Sequence, residues 1–79
     1  MQVVRLSNCK ICIYVRGAHP TPHFHVRGPE SNGSVVIATL EPLGGKVSKN
    51  DLKQVRDWAS EPNIMTLLLE VWRRLHERD

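Results

Sequence analysis

The hydrophobic period of this chain changes once, near Ser48, and that switch constrains the fold more than any other feature. Before it, Ile11, Ile13 and Val15 fall on one side of a run whose other side is Lys10, Cys12, Tyr14 and Arg16. A period of two belongs to a half-buried strand. After it, Leu52, Val55, Trp58 and Ala59 recur at helical spacing, and so do Ile64, Met65, Leu68, Val71, Trp72 and Leu75. Strands followed by helices predict an α+β chain, with an antiparallel sheet of three to four strands packed by two C-terminal helices. The chain has 79 residues, enough for one core. Residues 1–79 are therefore read as a single domain, strand-rich over 1–47 and helical over 48–79.

Turn-forming residues divide the first half. Val3 to Leu6 and Lys10 to Val15 predict a hairpin about Ser7-Asn8. Pro20 and Pro22 forbid a regular ladder over residues 17–22, and His23 to Arg27 is strand-like again. There Phe24 and Val26 face one side, and His23, His25 and Arg27 the other. Gly28 to Gly33 reads as a loop, Ser34 to Leu40 as a central strand, Pro42 to Gly45 as a turn, and Lys46-Val47 as a last short strand. Ser48-Lys49-Asn50-Asp51 resembles a capping box with Asp in place of Glu. Ser60-Glu61-Pro62 ends the first helix, with Ser60 placed to cap the second. The expected core is Ile11, Ile13, Val26, Val35, Ile37, Leu52, Val55, Leu68, Val71 and Trp72.

Charge narrows the function only loosely. A net charge of +3 permits binding to nucleic acid or to an acidic partner without demanding either. No run of about 18 apolar residues predicts a membrane span, and no apolar segment at the N-terminus reads as a signal peptide, so a cytoplasmic protein is expected. Modest size leaves room for a stabilising partner or a homodimer. Cys9 and Cys12 form a C-x-x-C, but Cys12 sits in the alternating strand and no second pair follows. They read as two reduced thiols without a joint role, the alternative being a mixed site with His23 or His25. There is no P-loop, no G-x-G-x-x-G and no H-E-x-x-H.

The chemically loud segment is His19-Pro20-Thr21-Pro22-His23-Phe24-His25-Val26. His23 and His25, one residue apart on a strand, project from the same face, their Cβ atoms roughly 6–7 Å apart. His19 lies on a proline-stiffened loop that could fold back over them. Three readings stay open. The imidazoles are outward polar groups or hydrogen-bond the loop. They bind a zinc-like divalent metal through His19, His23 and His25, no other cofactor being expected. Or His23 and His25 act as general base and general acid on RNA without a metal. Arg16 and Arg27 flank the segment and suit an anionic ligand such as a phosphate backbone.

Residues 19–27 resemble the signature H-N-P-P-H-x-H-V, with Val or Ile at x, of a family of small bacterial proteins, the domain of unknown function numbered 4160. Thr21 departs from it, standing where the family commonly has a second adjacent proline. Leu67-Leu68-Leu69-Glu70-Val71-Trp72 resembles the family's terminal L-L-E-x-W helix. The resemblance covers nearly the whole chain and implies a strand hairpin, then the histidine signature, a further strand run and closing helices. It also implies a toxin–antitoxin-like or accessory role in the bacterial cytoplasm, and with the small size and mild basic charge it leads to the expectation of an interaction module of a small operon that binds a protein or RNA partner. It implies no established activity.

Overall fold

The structure, a computed structural model, describes residues 1–14 and 21–76. Val15, Arg16 and His19 lie outside the described residues. The element order is β1 (Gln2–Arg5), β2 (Lys10–Cys12), β3 (His23–Gly28), β4 (Ser31–Val36), β5 (Pro42–Lys46), α1 (Lys49–Ala59) and α2 (Pro62–His76). The strands form one antiparallel sheet in the order β1-β2-β3-β4-β5. The α+β class follows the change of period, but among the described residues the sheet has five strands where three to four are expected.

Crowding explains the difference. Gly33, read as part of a loop, pairs with Val26 on one side and Gly45 on the other. A Cβ on Gly33 would lie 2.7 Å from the Gly44 carbonyl oxygen and 2.8 Å from the Lys46 nitrogen. It is glycine because β5 closes in on it, not because the chain turns there. The turn is only Pro29-Glu30, between the paired Gly28 and Ser31. The predicted strand over 34–40 is therefore displaced to 31–36, and residues 37–39 turn. Leu40 leaves that turn at φ 59, its carbonyl held by Arg56 Nε at 3.2 Å. Residues 42–45 then run as an edge strand, where a proline is tolerated.

One face of the sheet carries the core. Ile11, Ile13, Phe24, Val26, Val35 and Ile37 are fully buried together with Val55 of α1 and Leu68 of α2. Leu52, Val71 and Trp72, expected in the core, are only half-buried against it. Burying a side chain such as Phe24 or Leu68 contributes roughly 1.5–3 kcal/mol.

The start of α1 is tied to the sheet by polar groups. The Ser48 side chain accepts from the Asp51 backbone N–H at 3.1 Å, as a helix cap should. The return half of the expected capping box is replaced. The Ser48 N–H donates to Ser31 Oγ at 3.0 Å, and Ser31 Oγ donates to the buried Asp51 carboxylate. Aspartate is one methylene shorter than the usual glutamate, and Ser31 of β4 stands between the two groups. Ser60 differs as well: its hydroxyl donates back to the Asp57 carbonyl at 2.8 Å, closing α1 rather than capping α2.

Candidate functional site

β3 divides its side chains as its alternation dictates. Phe24 and Val26 enter the core, and His23, His25 and Arg27 take the opposite, outer face. Register brings Cys12 beside His25 and Val36 beside His23. Exposure rises along the strand: His23 is 6% exposed, His25 half-buried and Arg27 exposed.

Rings join these residues to both ends of the chain. The Tyr14 ring, two residues beyond Cys12 on the same face, meets His25 edge-on with centroids 4.8 Å apart. His25 meets His23 at 5.3 Å. His23 packs at 4.9 Å on Trp72 of α2, and Trp72 stacks on His76 at 3.9 Å. The guanidinium of Arg27 donates to the Tyr14 hydroxyl at 3.1 Å.

The hydrogen bonds define the electrostatics. His23 Nδ1 lies 2.8 Å from the Thr21 carbonyl, which only accepts, so this nitrogen carries a proton and donates. Burial pushes the His25 pKa down, and the neighbouring His23 and Arg27 push it further the same way. His25 is therefore a neutral imidazole at neutral pH. The hydrogen bond to Tyr14 holds Arg27, already a permanent cation, above its ordinary value.

Of the residues expected at a site, His23, His25 and Arg27 come together, while His19 and Arg16 lie outside the described residues. Among the described residues no group of three His, Cys, Asp or Glu side chains is placed to hold a metal ion. Cys9 and Cys12 are free thiols, both buried. Cys9 belongs to the core cluster and Cys12 pairs with His25, so they are not a metal knuckle. Burial, and then the charge of Asp51, raise the Cys9 pKa, which keeps that thiol protonated. Tyr14, Trp72 and His76 are additions to the expected set. Tyr14 was visible as an outward residue of the β2 run. The Trp72 contact joins residues far apart in sequence, and no local pattern announces it.

A family model described as Domain of unknown function (DUF4160) matches residues 9–73. No curated protein and no solved structure matches the chain. Among the described residues no helix is long and apolar enough to cross a membrane.

Proposed function

Because the chain belongs to the DUF4160 family, whose description carries no activity, we propose a function from the geometry of the outer face: an RNA-binding interaction module. One observation carries this reading. Tyr14 touches the half-buried His25 ring and is hydrogen-bonded through its hydroxyl to Arg27. A phenol ring, a neutral imidazole set edge to face with it, and a permanent cation thus stand together on an antiparallel sheet. Unpaired RNA bases stack on such rings, and phosphates are met by a guanidinium. A toxin–antitoxin-like role in a small operon suits a module of this kind, with RNA as the partner bound directly.

A second reading, metal-free cleavage of RNA, has its own observation: the neutral His25 lies 5.3 Å from a second imidazole. Weighing against it, His23 is 6% exposed and packed on Trp72, so it offers a substrate little surface.

The test is fluorescence anisotropy with a short single-stranded RNA, in chelator, using nuclease-free protein. Tyr14→Ala should weaken binding by about 1–3 kcal/mol, roughly 5- to 150-fold, and Tyr14→Phe, which keeps the ring, by less. No binding at micromolar protein, or equal binding by wild type and Tyr14→Ala, would sink the proposal. Cleavage of the same RNA that is lost in His25→Ala would instead favour the second reading.

A further inference from the structure

The cross-strand register places charge in a line. Arg5 of β1 is directly opposite Lys10 of β2, Lys10 is opposite Arg27 of β3, Arg27 is opposite Asn32 of β4, and Asn32 is opposite Lys46 of β5. Directly opposed residues share a face, so this is one row on the outer face crossing all five strands. Adjacent strands are about 4.8 Å apart, so the row runs roughly 19 Å from end to end. All five of its side chains are exposed. Among the described residues, no carboxylate forms an ion pair with Arg5, Lys10, Arg27 or Lys46.

The surface is recessed beside the row, at the end of the sheet where the Ser7-Asn8 and Pro29-Glu30 turns lie. A cleft of about 260 Å³ is lined by Arg5, Lys10, Arg27 and Gly28 among others. A second of about 290 Å³ is lined by Asn32 and Lys46. Gly28 and Pro29 belong to both, so the clefts abut. Glu30 also lines the second and is, among the described residues, the one carboxylate on either wall. Like charges directly opposite one another destabilise a sheet. Two such pairs in succession, lining a cleft and without ion-pair partners among the described residues, are what an anionic polymer would neutralise.

We infer that single-stranded RNA crosses the sheet at right angles to the strands, its phosphates following Arg5, Lys10, Arg27, Asn32 and Lys46 and its bases turned toward Tyr14 and His25. Arg27 joins the two parts, since it belongs to the row and donates to Tyr14. This rests on the RNA-binding reading and adds to it a path, a direction and a count of cations.

Counterion release makes the path measurable. Four cations on a single strand give log K against log salt concentration a slope of about −2.8, and each cation removed takes away about 0.7. Between 50 and 200 mM salt the affinity should then fall by about 50-fold. Arg5→Gln and Lys46→Gln alter only the two ends of the row, far from the rings. Each should lower the slope by about 0.7, and the double variant by about 1.4, with no loss of thermal stability. Lys53→Gln, on the exposed side of α1, serves as the control and should leave the slope as it is. Glu30→Gln should tighten binding. If RNA binds and depends on Tyr14, yet Arg5→Gln and Lys46→Gln keep the wild-type slope, the path is wrong and the binding reading survives. If Lys53→Gln lowers the slope as much as they do, the attraction is diffuse and the path again falls. If wild type binds no RNA, both fall together.

Discussion

Strand β3 has two faces, built on opposite principles. Inward, Phe24 and Val26 are fully buried among Ile11, Ile13, Val35 and Ile37. Outward, the same strand grades from buried His23 through half-buried His25 to exposed Arg27, and its charged member stands opposite another cation. The inner face gains from nearly every atom it buries. The outer face holds groups whose mutual repulsion opposes folding. The contrast teaches where to look for function: the side that packs best explains why the protein folds, and the side that keeps unneutralised charge is where the proposed partner would bind.

The largest effect should come from breaking the inner face. Phe24→Ala removes a fully buried ring and should cost about 3–5 kcal/mol of stability in urea denaturation. The RNA affinity of the protein that remains folded should not change. A loss below about 1 kcal/mol would show that the two faces differ less than their burial indicates.

A smaller effect, of opposite sign, should come from relaxing the outer face. Lys10 stands between Arg5 and Arg27. Lys10→Thr removes both like-charge pairs and places a β-branched residue in a strand, so it should stabilise the fold by about 0.2–1 kcal/mol while weakening RNA binding. A variant that loses stability and affinity together would mean that the lysine packs rather than repels.

The smallest effect is pH-dependent. The folded-state pKa of His25 lies below its ordinary value of 6.5 because of burial, His23 and Arg27. Between those two values the unfolded chain binds more protons than the folded one, so stability rises with pH across that window. Stability should therefore fall as pH drops through about 6.5 toward the folded-state pKa, and the His25 contribution should be constant above 6.5. Melts of wild type and His25→Gln over pH 5–8 isolate this contribution. Parallel curves would show that the environment of His25 does not disfavour its charge.

Much of the inner face was legible in the sequence, because alternation and helical spacing are local patterns that burial then obeys. Ile11, Ile13, Val26, Val35, Ile37, Val55 and Leu68 are buried as expected. What escaped were positions whose residue type answers to a neighbouring strand. Gly33, Pro42, Gly44 and Gly45 carry the composition of turns, yet all lie in strands. Only the approach of β4 and β5 shows why Gly33 has no side chain. On the outer face, the common side of His23, His25 and Arg27 followed from their spacing. The row of cations did not, because pairing Lys10 with both Arg5 and Arg27 depends on where two turns set the register. Trp72 read as a core residue from its helical stripe, and it divides its surface between the core and His23.

The order of the strands has a consequence for how the chain reaches this structure. Among the described residues each strand pairs only with its neighbours in sequence, so none of these pairings waits for a distant segment to be made. Hairpins form in microseconds, and mixed α/β domains with local contacts fold in roughly milliseconds. The chain should assemble on that timescale, one hairpin handing its edge to the next. Once the sheet has formed, Ser31 gives the first turn of α1 a fixed place to dock.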